Sequence, residues 1–174
     1  MVFNIIKIVR DAFAGAGQQL PQGFPKTLTK TDLIGSDTVT LEAGKEVIVG
    51  EYEVKPQTMV RLGYGRPEFQ HNQGTIFMKL YDSSGNELDD NTEVRLVVTD
   101  YNGRVKGVAL AERYANLKSG ETDLTARFKF PENPVSAYQN DKIRLVIISP
   151  NTVTLSKENS KIFVSATEYW LGQP

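Results

Sequence analysis

The chain has 174 residues, 20 basic against 21 acidic side chains for a formal net charge of -1, and no cysteine. That length suits one domain with a real core, and the charge balance gives no general attraction to a nucleic-acid backbone, so no nucleic-acid partner is expected. The missing thiols exclude disulfides, thiolate zinc sites and cysteine nucleophiles together, and no apolar run approaches the roughly 20 residues of a membrane-spanning helix.

Residues 1–15, MVFNIIKIVRDAFAG, differ in kind from the rest. On a helical wheel Val2, Ile5, Ile6, Ile8, Val9, Ala12 and Phe13 form one apolar arc, with Asn4, Lys7, Arg10 and Asp11 opposite. The pattern predicts a short amphipathic helix that is marginal in water unless its apolar face is covered. Val2, Ile5, Ile6, Val9 and Phe13 are its candidate anchors. Three covers fit: the chain's own domain, another subunit, or a membrane surface, to which Lys7 and Arg10 add a weak electrostatic attraction. Gly15, Gly17, Pro21 and Pro25 end the helix and send the chain out as an extended arm. An arm of roughly 20 residues without structure of its own is commonly ordered by neighbours. The expected division is therefore 1–35, helix and arm, and 36–174, a β domain.

From Ser36 onward, short strand-like runs alternate with Gly, Pro, Asn and Asp. A small run at 38–42 is followed by 46–55, where Ile48, Tyr52 and Val54 share a side and Gly50 marks a bulge or close approach. Residues 58–64 place Val60 and Leu62 inward, and 74–82 place Ile76, Met78 and Leu80 inward. The clearest element is the hairpin over 92–110, in which Val94, Leu96 and Val98 alternate with Glu93, Arg95 and Val97 before a tight turn centred on Asn102-Gly103. Residues 111–121 read equally as more strand or as one helical turn. The runs 122–130, 141–149 and 161–169 follow, with 131–140 read as a Pro-containing loop and 152–155 as a short pairing segment.

Eight major runs without regularly interleaved helices exclude a doubly wound α/β fold. The loops 65–73 and 131–140 are long enough to cross between sheets. The expectation is an all-β, eight-stranded jelly-roll sandwich with an N-terminal amphipathic helix and extended arm.

Little in the chain points to chemistry. His71 is the sole histidine, so a histidine-rich zinc site or a Ser-His-Asp triad cannot be built within one chain. The acidic stretch 82–93 has oxygen donors, but their order does not match the helix-loop-helix calcium loop. Glu51 and Glu53 lie on the outward side of one strand rather than across a cleft. No catalytic, cofactor-binding or metal residue is assigned, and no cofactor is expected. Phe163, Tyr169, Trp170 and Leu171 gather apolar area near the chain end, which either caps the sandwich or docks on a partner.

The helix MVFNIIKIVRDAFAG, the arm LPQGFPKT and the eight runs from EVIVGEYEVK to SKIFVSATEYW together resemble the smaller coat protein of tailless, membrane-containing icosahedral bacteriophages whose shells use two kinds of single-jelly-roll subunit. The resemblance implies a non-enzymatic capsid subunit of the virion. Its partners would be further copies of itself and a second coat protein, above an internal membrane that the N-terminal helix could touch. No short motif carries it. A carbohydrate-binding β-sandwich module and a virion spike or decoration protein are the alternatives of similar size and strand content.

Overall fold

In the computed structural model, which describes residues 25–28, 39–62, 75–118, 128–129 and 135–170, β6 (Glu93–Thr99) and β7 (Val105–Arg113) form the central hairpin. Its turn differs in detail from the expectation. The Gly103 N–H donates to the Asp100 carbonyl at 3.0 Å and the Asp100 N–H to the Arg104 carbonyl at 2.9 Å, which leaves three residues in the loop rather than two. Gly103 alone takes positive φ there, +81°, the arrangement of a type I turn closed by a left-handed glycine. The Asp100 carboxylate holds it by accepting the N–H groups of Asn102 (2.8 Å) and Arg104 (2.9 Å).

The other strands nest around this hairpin. They are β1 (Pro25–Leu28), β2 (Val39–Leu41), β3 (Glu46–Glu53), β4 (Thr58–Leu62), β5 (Thr75–Asp82), β8 (Phe128–Lys129), β9 (Val135–Tyr138), β10 (Lys142–Ile148) and β11 (Val153–Trp170). Going outward from β6·β7, the antiparallel pairs are β5·β8, β4·β9, β3·β10 and β2·β11. The topology is one long hairpin rolled up on itself. Three further ladders, β10·β6, β11·β5 and β11·β4, close it into two sheets, β3-β10-β6-β7 and a larger one centred on β11. This is a jelly-roll-like all-β sandwich of antiparallel sheets.

The described residues hold eleven strands, not eight. The segments 152–155 and 161–169 are one 18-residue strand, because β11 bulges between Ser156 and Lys161 without ending. The segment 131–140, read as a loop, contains β9; Pro134 directly precedes it, a position where a missing N–H is tolerated at the start of an edge strand. Of the two loops expected to cross between the sheets, the end of 131–140 does lead from β9 in the larger sheet to β10 in the four-stranded one, whereas 65–73 connects β4 and β5, both of the larger sheet. The crossings on either side of the β4·β9 pair are short turns instead, with positive φ at Gln57 (58°) and Asn140 (70°). Part of the N-terminal arm is in the fold: β1 pairs with β11, Pro25 opposite Thr167 and Leu28 opposite Val164. The expected helix of residues 1–15 lies outside the described residues.

The core between the sheets follows the alternation in the sequence. Val60, Leu62, Met78, Leu80, Val94, Leu96, Val98, Ile143, Leu145, Ile147 and Ile162 are all buried. The ambiguous segment after β7 resolves into both readings in turn, strand to Arg113 and then α1, Tyr114–Leu117.

Tyr114 is fully buried and does what a neighbouring strand would otherwise do. Its hydroxyl accepts the Leu80 N–H at 2.9 Å and donates to Glu87 Oε1 at 2.7 Å, so a buried backbone donor on β5 has a partner. Burial is the main cause that pushes the phenol well above its ordinary value. Tyr114→Phe leaves the Leu80 N–H unsatisfied and should cost about 1–3 kcal/mol in urea denaturation. The unfolded chain loses this phenolic proton above pH about 10 while the folded chain keeps it. Tyr114 therefore stabilises fully below that pH and less as pH rises, and the alkaline fall in stability should be shallower in the Phe variant. An unchanged midpoint would contradict the assignment.

Candidate assembly surfaces

Register fixes what the outer face of the four-stranded sheet displays. In rows running β3, β10, β6, β7 it carries Glu53, Lys142, Thr99 and Val105; Glu51, Arg144, Val97 and Val108; Ile48, Val146, Arg95 and Ala111; then Glu46, Ile148, Glu93 and Arg113. The four carboxylates and four cations are largely paired within the face. Glu51 accepts Lys142 Nζ and Arg144 Nε at 3.3 Å each, and Arg95 donates Nε to Glu93 at 2.6 Å and Nη1 to Glu46. Val97 and Val146 among them are nearly covered, as expected where long charged side chains lay their stems over apolar neighbours. The face has apolar ground under a neutral charge mosaic.

Both edges of this sheet are irregular. On β3, Leu145 pairs with Gly50 and Val146 with Ile48, so Val49 is an extra residue. The bulge expected at Gly50 is present, and it corrects the assignment beside it: Val49 is buried and Ile48 is turned out, 49% exposed. On β7, Lys106 and Ala109 are extra residues, since Thr99 pairs with Val105, Val98 with Gly107, Val97 with Val108 and Leu96 with Leu110. Bulges on edge strands oppose continuation of the ladder into another molecule.

At one end of the sandwich three turns are tied together by Asp141. Its buried carboxylate accepts the Tyr138 N–H at 2.8 Å and an ion pair from Lys106, while its carbonyl accepts the Val54 N–H at 2.9 Å. Lys106 Nζ also stands 5.0 Å from the centre of the Tyr138 ring. Tyr138 and Tyr101 are the exposed aromatics at this end.

A cleft of about 510 Å³ lies on the larger sheet, lined by Lys79, Tyr81, Gly85, Glu158, Asn159 and Lys161. In the acidic loop, Asp82 Oδ1 accepts the N–H groups of Ser84 and Asn86 at 2.9 Å, Asp89 accepts that of Asn91 at 2.8 Å, and Asp90 binds Lys118 at 2.6 Å. These carboxylates shape turns. Among the described residues no group of three or more His, Cys, Asp or Glu side chains could hold a metal ion, and no helix is long and apolar enough to cross a membrane.

The anchors read from the sequence fall mostly elsewhere. Val2, Ile5, Ile6, Val9, Phe13 and Leu171 lie outside the described residues, as does His71. The backbones of Phe163, Tyr169 and Trp170 are part of β11, opposite Phe77, Met59 and Thr58 respectively.

With the topology in hand, solved structures of the same shape can be compared. The chain is similar to VP17, a capsid protein of bacteriophage P23-77, with a TM-score of 0.58 and 8% identity over 87% of this chain and 97% of that one. It is similar also to the VP16-VP17 complex, a complex of the two major capsid proteins of bacteriophage P23-77, with a TM-score of 0.57 and 6% identity over 84% and 98%. What they share is a fold. No family model and no curated protein matches the chain.

Sequence reasoning missed Tyr101, Lys106, Val108 and Asp141. The one signal available was Gly107, an isolated glycine inside a strand, which marks a bulge or a close approach. Both are present: a Cβ on Gly107 would sit 2.9 Å from the Val135 side chain. Removing the cation beside Asp141 tests the end cluster. Lys106→Met should cost about 1–3 kcal/mol, less than the loss of a fully buried pair because the Lys106 side chain is partly exposed. Combined with Asp141→Asn, the loss in urea denaturation should be less than additive; strict additivity would show the two groups uncoupled.

Proposed function

We propose that this chain is a non-enzymatic structural protein of a virion, a capsid subunit that assembles with itself or with a second coat protein over an internal membrane. The observation that carries the reading is the match to VP17 across nearly the full length of both chains. The chemistry of the surface supports it. The described part displays a neutral, internally paired sheet face and turn-shaping carboxylates, which suit close packing of many copies rather than turnover of a substrate. The second structural match is a complex of two coat proteins, which motivates a second coat protein as partner.

In this reading residues 1–35 are the helix and arm and residues 36–174 the jelly roll, with Val2, Ile5, Ile6, Val9 and Phe13 against a neighbouring subunit or the membrane surface. Phe163, Tyr169, Trp170 and Leu171 supply apolar contact near the chain end. A carbohydrate-binding module is the second reading, favoured by the exposed rings of Tyr101 and Tyr138 at one end of the sandwich.

Light scattering with mass measurement over a concentration and salt series, alone and with proteins from the same source, tests the main reading. Assemblies larger than a monomer, or a recovered protein partner, are expected. A monomer under every condition with no partner would overturn it, and binding to an oligosaccharide array would then favour the second reading. Deleting residues 1–24, which keeps β1, should leave a folded β domain that associates less well. If liposome flotation falls on the same deletion, the membrane surface is a cover of the helix; if flotation is equal, it is not.

A further inference from the structure

The two outer faces of the sandwich differ in charge. On the larger sheet Val60, Leu62, Met78, Leu80, Leu155 and Ile162 are buried inward, so their neighbours along each strand point out. Among the described residues these outward ladder positions hold Ser, Thr, Tyr, one Met and three cations, Arg61, Lys79 and Lys161, and no Asp or Glu. The four-stranded sheet opposes cation to carboxylate, as where Arg144 faces Glu51 across the ladder. On the larger sheet the register does the reverse and sets Lys79 directly opposite Lys161. Like charges so placed repel. Lys161 is exposed and has no ion pair among the described residues.

The cleft of about 510 Å³ lies at this pair. Tyr81 pairs with Ser156 and Lys79 with Lys161, so residues 157–160 of β11 all stand against Leu80. The Ser160 hydroxyl fastens this bulge, accepting the Tyr81 N–H at 3.0 Å and donating to the Tyr81 carbonyl at 3.4 Å. Bulges re-aim side chains beside binding sites. Here Glu158 and Asn159 of the bulge and Gly85 of the turn after β5 line the cleft together with Lys79, Tyr81 and Lys161. That lining sets two ammonium groups against one carboxylate, and Lys79 Nζ stands 6.0 Å from the centre of the Tyr81 ring. We propose that the cleft binds a carboxylate-bearing segment of a partner protein, with an acidic side chain between Lys79 and Lys161 and its methylene stem on the Tyr81 ring. A second copy applied with the same face would oppose cation to cation, and the carboxylates of its four-stranded sheet are largely bridged already. The partner is therefore a different chain with free acidic groups. Met59 and Arg61, half-buried on the adjoining β4, extend the face with residue types enriched at protein contacts. Three cations beside Met59 and two tyrosines suit a protein surface better than a polyphosphate chain. Resting on the coat-protein reading for the partner's identity, this site names the surface and the chemistry that hold a second coat protein.

Titration of the full-length chain with a labelled peptide alternating Glu and Ala tests the site. Saturable binding that weakens with added salt is expected, with amide NMR shifts concentrated in residues 79–85 and 156–161. Lys161→Glu should weaken it at least about tenfold, whereas Glu158→Gln should not weaken it. Lys45→Gln, at an exposed lysine elsewhere, should leave it unchanged. Because the cross-strand pair is repulsive, Lys161→Gln should leave the thermal midpoint unchanged or raised; a fall would give this lysine a structural role and overturn the proposal. Absence of saturable peptide binding, or equal binding by Lys161→Glu, overturns it as well. So does a preference for phosphatidylglycerol vesicles or a single-stranded oligonucleotide over the peptide. Failure of this site and failure of the coat reading are distinguishable. A chain carrying both Lys79→Gln and Lys161→Gln that assembles unimpaired with its source proteins sinks the site and leaves the coat reading. A wild-type chain that binds the peptide at the cleft and never builds an assembly with those proteins does the reverse.

Discussion

The larger sheet exists because one strand is long enough to hold it. β11 runs 18 residues, on the order of 60 Å at a strand's rise, and pairs with β5 and then β4 along one flank and with β2 and then β1 along the other. Neither β1 nor β2 is long enough to be a stable ribbon by itself. β2 begins opposite Leu155 and β1 ends opposite Val164, so the short strands line up along one continuous edge that only β11 provides. Because β11 comes last in the chain, the central hairpin can form from local contacts, whereas the larger sheet waits on pairings such as Leu41 with Val153 that span most of the sequence. Nested pairing of this kind has high contact order, and its early folding states expose unpaired edges.

What was legible in the sequence was the part governed by alternation. Val94, Leu96 and Val98 on β6 and Ile143, Leu145 and Ile147 on β10 sit in the core as a period of two requires, since each is a central strand flanked on both sides by ladders that enforce a flat register. The same rule failed on the flanking strands. Ile48 on β3 and Val108 on β7 are turned out because an edge strand with one partner can take an extra residue and change phase, and no residue type announces that change except a glycine such as Gly50 or Gly107 nearby. Element type was legible where the run was long. It was not where a strand borrows its stability from elsewhere, as four-residue β9 does after Pro134, or where a strand and a helical turn share one segment, as at Arg113 and Tyr114.

Tyr114 shows why the candidate surfaces were harder to read than the fold. Its value lies in a hydrogen bond to the Leu80 N–H, a relation between two segments that composition cannot express. Asp141 is similar, a loop aspartate in sequence that in space joins β3, β7, β9 and β10 through Val54, Lys106 and Tyr138. Residues of this kind hold the turns stiff, and stiff turns lower the entropy lost when exposed side chains such as Tyr101 meet a partner.

The charge pattern bears on which surfaces can approach the four-stranded sheet. A face with unpaired charge of one sign would repel its own copies at close range, and each added copy would add to the cost. On the four-stranded sheet Glu46, Glu51, Glu53 and Glu93 balance Arg95, Arg113, Lys142 and Arg144, mostly through bridges within the face, so bringing another surface near costs little electrostatically. Exposed ion pairs of this sort add little to the stability of the single molecule. Their consequence is instead permissive: they leave shape and the few exposed apolar side chains to decide which surfaces meet. With both edges of this sheet bulged, the meeting must be made by side chains. Bulged edges of this kind oppose the runaway edge-to-edge addition that an unblunted strand would invite.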